Sequence, residues 1–344
     1  MNQRRFVILL LAALIAISGA LFLASQRNLP RDTRGAPLLP GLGAELESVT
    51  GITLRKGAAT VSLQRSADHW TVAERSGYPA DVAKLRKLLL SLGDATVVEE
   101  KTSDPAKYAL IGVEDVSAAG STGTEITVIA NDGKHPLIVG KPSGDGSFVR
   151  RSGEAASYLI KPALYAEAEP RYWIDALLLD VATSAIQKIA VTPPTGPPYA
   201  IHRLASGADN FALDAVPPGR SALDPRSVGP SPLAYGGLTA DDVAPAAGIG
   251  FGPTTATLTL TDGDVITLRG AVSGDKHWLE VKTTKNAALD AKTQGRAFEI
   301  AAYRYDAIFR PLEQLLQPKP DKSKPKESNP PKATPLQSKA AGTR

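Results

Sequence analysis

Cysteine is absent from this 344-residue chain, methionine occurs once, and Phe, Trp and Tyr together make up only 6% of it. Without cysteine there is no disulfide, no thiolate metal site, no Cys nucleophile and no lipid-modified cysteine. A body of this size does not need disulfides to be stable, so their absence fits either side of a membrane. Most of the few aromatics fall at core-strand positions, which argues against a flat glycan-binding face. Histidine is limited to His69, His135, His202 and His277, so imidazole chemistry has four places to occur.

Charge of one sign is also missing where a nucleic-acid binder needs it. The chain carries a net +4, but residues 1–44 hold five Arg against one Asp, and residues 317–344 hold seven cations against two acids. The remaining body, 45–316, has 27 cations and 32 anions, net −5. A nucleic-acid-binding domain places its basic patch on the folded part, and nucleic acid is therefore set aside as a partner.

What is present begins with a hydrophobic run at 6–24, preceded by Arg4 and Arg5. Nineteen helical residues span about 28 Å, enough to cross a bilayer core. A cleavable signal has a shorter apolar region and an A-x-A-like site, and here Leu21, Phe22 and Leu23 continue past the loose match at Ser18-Gly-Ala20. The expectation is an uncleaved single-pass anchor in the cell inner membrane, behind a tail at 1–5. The order of basic, apolar and polar stretches places the body outside the cytoplasm, in the periplasm. Residues 26–44, rich in Pro and Gly, read as an extended linker. Residues 317–344, rich in Pro, Lys and Ser, read as a disordered tail able to touch anionic lipid or an envelope polymer.

Between these ends lies an internal repeat. The segment 126–140, two alternating runs joined at Asp132-Gly133, aligns without a gap on 256–270, joined at Asp262-Gly263. Asp-Gly suits a tight hairpin turn. At the same offset of 130, Phe148 falls on Trp278. Ile52-Thr-Leu54, the run 61–65 and Trp70-Thr-Val72 resemble Ile189-Ala-Val191, Ile201-His-Arg203 and Phe211-Ala-Leu213. The period is far longer than a solenoid unit and implies one domain duplicated once, as β-rich repeats at 45–180 and 181–316. Residues 79–92 predict a helix with Val82, Leu85, Leu89 and Leu92 on one face and Pro79 in its first turn. Its counterpart at 223–235 contains Pro225, Gly229, Pro230 and Pro232, which leaves no regular helix there. Drift after duplication explains that loss; a groove opened for a partner is the functional alternative. The fold class expected is α+β, mainly antiparallel strands with a covering helix.

Several motifs resemble those of the bacterial family called domain of unknown function 4340. They are Gly77-Tyr-Pro-Ala-Asp81, Asp104-Pro-Ala-Lys-Tyr108 before Gly112-Val-Glu-Asp115, and Ile138-Val-Gly-Lys141 followed by Phe148-Val-Arg150 and Tyr158-Leu159. The closing run Phe298-Glu-Ile300, Tyr305 and Leu312-Glu-Gln-Leu-Leu316 also fits, so the resemblance covers roughly 47–316. The family has no assigned activity and supplies no catalytic residues. The resemblance implies an amino-terminal membrane segment and association with ABC-type transport components of the gliding-motility kind.

Candidate chemistry is sparse. His69 and His277 each precede a tryptophan, and if Trp70 and Trp278 face the core their histidines face solvent. Gly140-Lys-Pro-Ser143 lacks the first Gly of a phosphate loop, since His135 stands there. Asp132, Asp262 and Asp264 suit turns better than a calcium loop. Glu99-Glu100, Glu114-Asp115 and Asp241-Asp242 read as solvated pairs. Thr255, Thr257, Thr259 and Thr261 read as the polar face of a half-buried strand. No residue is singled out as catalytic, cofactor-binding or metal-binding, and no cofactor is expected. The function expected is a non-enzymatic scaffold or accessory subunit of an ABC-type transport complex, with a membrane-protein partner. The alternatives are an enzyme acting on an envelope polymer, or a periplasmic glycan-binding module.

Overall fold

The computed structural model describes residues 34–44, 46–67, 69–205 and 209–318. The expected anchor at 6–24 and the tail from residue 319 onward lie outside the described residues. No helix among the described residues is long and apolar enough to cross a membrane. The described chain is β-rich and antiparallel with few helices, consistent with the α+β class.

The first sheet is built from β1 (Gly51–Lys56), β2 (Ala59–Ser66), β3 (His69–Val72), β4 (Tyr78–Pro79), β5 (Thr96–Thr102), β6 (Thr124–Ala130), β7 (Gly133–Ser143), β8 (Gly146–Arg151) and β9 (Ser157–Lys161). Their spatial order is β4-β3-β2-β1-β6-β7-β8-β9-β5. Period-two alternation sets the facing. Ile52 and Leu54 of β1 are fully buried opposite Leu63 and Val61 of β2, while Arg55 points out to pair with Glu125.

Helix α1 (Val82–Gly93) runs from the β4 edge of this sheet to the β5 edge, burying Leu85, Leu88 and Leu92. Its N-cap is Asp81, whose carboxylate accepts hydrogen bonds from the amides of Ala83 and Lys84. Pro79 is therefore not in the first turn as the sequence predicts; it lies in β4, paired with Thr71. Val82 is exposed and Leu88 is buried in its place, so the stripe that faces the core runs Leu85-Leu88-Leu92, with Leu89 at its margin.

The second sheet comprises β11 (Ile186–Thr192), β12 (Tyr199–Arg203), β13 (Phe211–Leu213), β15 (Asp242–Pro245), β16 (Thr255–Leu260), β17 (Val265–Ser273), β18 (Lys276–Thr283) and β19 (Arg296–Ile300). Its order, β13-β12-β11-β16-β17-β18-β19-β15, repeats that of the first sheet from β3 to β5, strand for strand. A separate ribbon pairs β10 (Leu177–Leu179) with β14 (Leu238–Thr239).

The gapless alignment of the two central hairpins conceals two compensating shifts. In the first sheet Ala130 pairs with Gly133 across a two-residue loop. In the second, the Leu260 amide bonds to Asp264 O across a three-residue loop, with Gly263 at φ +78°. One extra residue flips every following side chain. Offset 130 would set Ile138 on Leu268, yet Leu268 lies in the main core and Ile138 in a satellite cluster on the opposite face. The turns at Asp132-Gly133 and Asp262-Gly263 thus differ, contrary to the sequence expectation. An irregularity in β7 between Val139 and Pro142 restores the frame. Beyond it Val149 and Leu279 share the core face, and Phe148 and Trp278 both sit in satellite clusters.

The expected linker at 26–44 is corrected where it is described. Leu38, Leu39 and Leu42 are buried, and the Gly35 and Leu38 amides donate to Val97 O and Ala95 O, adding an extended segment beside β5. Proline and glycine favour extended backbone here without preventing burial of the leucines between them. Likewise β10 pairs with β14 of the second half, so residues 177–179 are tied to that half ahead of the expected boundary at 180/181.

The two sheets share one continuous hydrophobic core, joined at residues 75–78. Tyr78 is fully buried against Phe298 of β19, ring centroids 5.7 Å apart. Ala80 bridges to Ile174, and the Asp81 amide donates to Trp173 O. Arg75 grips Asp242 of β15 through two hydrogen bonds, with both side chains largely shielded.

Candidate functional site

After β9 the chain forms a loop, 162–173, anchored from within. Leu164, Ala168 and Trp173 are buried in the core. The amide of Ala163 donates to Asp145 O, that of Leu164 to the buried Ser147 hydroxyl, and the Trp173 indole to Glu167 O. Lys84 of α1 donates to Tyr172 O at 2.7 Å. Between these anchors Tyr165 and Tyr172 project outward, 69% and 42% exposed.

The two tyrosines stand between clefts. The larger, about 500 Å³, opens at the ends of β1, β6, β7 and β8 and is lined by Lys56, Lys141, Ser147, Glu167 and both rings. A smaller cleft of about 170 Å³ lies on the α1 side, with Lys84, Lys87, Ser91 and the same rings. Lys87 and Ser91 also line a third, about 370 Å³, with Arg86 and Pro162. The Lys84 ammonium sits 4.5 Å from the Tyr172 ring centre and that of Lys87 5.6 Å from Tyr165, within cation–π range. Lys141 donates to Leu110 O, whereas Lys56 and Arg86 make no hydrogen bond or ion pair among the described residues. The result is a grooved surface on which exposed aromatics stand beside several cations, on a body whose net charge is negative.

Of the residues weighed from sequence, the 140–142 stretch borders the larger cleft, while the histidines and the turn aspartates lie elsewhere and form no common site. His69 is exposed, as expected, with Trp70 packed on the core. His277 departs from expectation: its ring lies 5.0 Å from that of Tyr305, and Trp278 faces the opposite side. The β18 register explains this, since His277 shares parity with the core residues Leu279 and Val281. His135 lies 2.9 Å from Asp132. His202 meets Asp214 at 2.7 Å, and Lys188 pairs with the same carboxylate. Asp214 is held below its usual range by Lys188 first and then His202. Among the described residues no hydroxyl hydrogen-bonds to the other His202 nitrogen, which a nucleophile–base pair requires.

Asp264 is buried. Burial pushes its carboxyl upward, but hydrogen bonds from the Thr283 and Thr284 hydroxyls and the Thr284 and Lys285 amides prevail and hold it at about 2. Its oxygens are occupied in fastening β17 to the end of β18. Among the described residues no cluster of three or more His, Asp or Glu is placed to hold a metal. Gly140 lies where an added Cβ would come 2.2 Å from Ile111 O, so close packing accounts for that glycine. The acidic pairs are not uniformly solvated: Asp242 is largely shielded with Arg75, whereas Asp115, though paired with buried Arg150, stays mostly exposed as expected. Burial, then Glu299, pushes the Asp241 carboxyl up. Thr255, Thr257 and Thr259 alternate with the buried Ala256, Leu258 and Leu260, a half-buried polar face.

After the single turn α2 (Tyr108–Ile111) in the first half, the region 223–235 forms two more, α3 (Pro225–Val228) and α4 (Pro232–Tyr235). Their terminal carbonyls are taken up by two arginines. Arg310 donates to Ser227, Val228 and Gly229 O, and Arg304 to Leu233, Gly236 and Gly237 O. Two arginines supply the caps a continuous helix would not need.

Residues 70–228 match the family model described as domain of unknown function (DUF4340). That match starts in β3 and ends in α3, so it spans the joint at 75–78, helix α1 and the tyrosine loop, and is narrower than the 47–316 resemblance read from motifs. Comparison with curated proteins and with solved structures gave no match. The DUF4340 segment contains Tyr165 and Tyr172, which sequence reasoning passed over. The one signal available was an aromatic and charged stretch without periodicity directly after a strand.

Proposed function

We propose that this protein is a non-enzymatic, membrane-tethered scaffold or accessory subunit of an ABC-type transport complex. On this reading residues 6–24 span the inner membrane once and the body lies in the periplasm. The observation that carries it is the joint at 75–78, where Tyr78 packs on Phe298 and Arg75 pairs with Asp242, so that the first sheet is locked to the second. A partner that seats on one sheet then meets the other at a fixed orientation, which suits a contact-based role. The shared strand order of the two sheets, with core residues at equal rank, supports an origin by duplication. The repeats then diverged: one kept α1, the other α3 and α4 with their arginine caps.

Isolation of the full chain in mild detergent, followed by identification of co-purifying proteins, tests the reading. ABC-type permease or ATPase subunits are expected in stoichiometric amounts. Their absence from membranes that contain both proteins would overturn it.

A further inference from the structure

We infer that the linked clefts around Tyr165 and Tyr172 form a binding site for a linear anionic polysaccharide, one whose sugars carry carboxylates or phosphates. The inference stands on the groove and does not rest on the transport-complex reading. Three properties select this ligand.

The clefts adjoin one another: the two tyrosines line the first and second, and Lys87 and Ser91 line the second and third. A compact anion would fill one of them, whereas a chain occupies all three. Cations outnumber acids along the path: Lys56 and Lys141 against Glu167 in the first cleft, Lys84 (paired with Asp81) and Lys87 in the second, and Arg86 and Lys87 against Asp94 in the third. A ligand with repeated charges can meet several of these cations at once. The tyrosines are exposed yet held by a loop fastened at Ser147, Asp145 and Lys84. Rings displayed at little entropic cost suit stacking on the apolar faces of sugars. A planar membrane cannot enter these concave clefts. An extended peptide would seek a free strand edge, and β5 is already paired by residues 35–38 where it nears Pro162.

The overall scarcity of aromatics, which argues against glycan binding from composition, is thus outweighed by where two of them stand. Two rings at one groove are enough, and a percentage cannot report their placement.

Titration of the full chain in detergent micelles tests the site, with oligogalacturonate as the carboxylate probe and a phosphorylated oligomannoside as the phosphate probe. Binding of either is expected, weakening as salt rises, with maltohexaose and unphosphorylated mannoside at least about tenfold weaker. Tyr165→Ala should weaken binding about tenfold while Tyr165→Phe stays within about threefold of the native chain. Lys87→Gln and Lys56→Gln should each flatten the salt dependence. Tyr165 is exposed, so an unchanged melting midpoint separates loss of the site from loss of fold. Failure of both anionic probes, equal binding of neutral glycans, or an unaltered affinity in Tyr165→Ala would overturn the assignment. So would preferential binding of single-stranded DNA, polyglutamate or phosphatidylglycerol vesicles.

Discussion

Tyr78 in the first sheet meets Phe298 in the second edge-on, their ring centroids 5.7 Å apart and their planes at 63°. Both rings are fully buried. The Tyr78 hydroxyl donates to Asp175 O, and Lys292 and Arg296 stand 5.7 and 5.6 Å from its ring. Burial, with Asp175 adding to it, pushes the Tyr78 phenol well above the usual tyrosine range, so it remains a neutral donor. One side chain therefore belongs to the cores of both halves.

Truncation of either ring should cost about 3–5 kcal/mol, and the pair should be coupled by about 0.5–1.5 kcal/mol. A double-mutant cycle of Tyr78→Ala and Phe298→Ala, read by urea unfolding, checks this. The native body should unfold in one transition. Strict additivity, or two resolved transitions in the native chain, would show that the joint does not couple the sheets.

The Asp264 anchor carries a pH dependence of definite sign. Its folded carboxyl titrates at about 2, below an unfolded aspartate at roughly 3.9. The anchor therefore contributes fully above the unfolded value and is lost as pH falls through the folded one. Asp264→Asn should destabilise the protein by about 1–2 kcal/mol at pH 7 and by little at about pH 2. Urea midpoints of both proteins at the two pH values measure it. A constant difference would remove the carboxylate from the explanation.

Two glycines separate close packing from open loop. In Gly140→Ala the new methyl would lie 2.2 Å from a backbone oxygen, whereas at Gly250 nothing lies within 4 Å. Gly140→Ala should cost about 3 kcal/mol or more, while Gly250→Ala should be neutral or slightly stabilising. Thermal unfolding of the two variants decides, and equal midpoints would contradict the packing at β7.

Much of the fold was legible because alternation fixes facing within a strand. Ile52, Leu54, Ile189 and Val191 all lie inward as their pattern implies. What escaped was set by relations between distant segments. The burial of Leu38 and Leu39 depends on β5 offering an edge, which no local window contains. The one-residue difference at the hairpin turns left the alignment gapless because the irregularity in β7 cancels it, and His277 was misplaced because its parity follows from pairing. Tyr165 and Tyr172 sit in a segment with no period at all. Their display depends on Ser147, Asp145 and Lys84, each from a different element.

On the proposed topology, a phosphatase reporter fused after Gln317 should be active and should stay with membranes in alkaline carbonate. A mature amino terminus near Leu21 or Ser25, or a reporter active only in the cytoplasm, would reverse that placement.

The central claim is that the body works by contact while held at the membrane, since tethering raises its effective concentration near a membrane partner. The most direct measurement replaces residues 1–25 with a cleaved signal and compares recovery of transporter subunits and the cellular phenotype with those of the native chain. Both should be lost while the released body keeps its single unfolding transition, and His69→Ala, His277→Ala and Asp262→Asn should leave them nearly intact. Full activity of the released body, or its collapse in one folded point variant, would contradict the account and favour an enzyme.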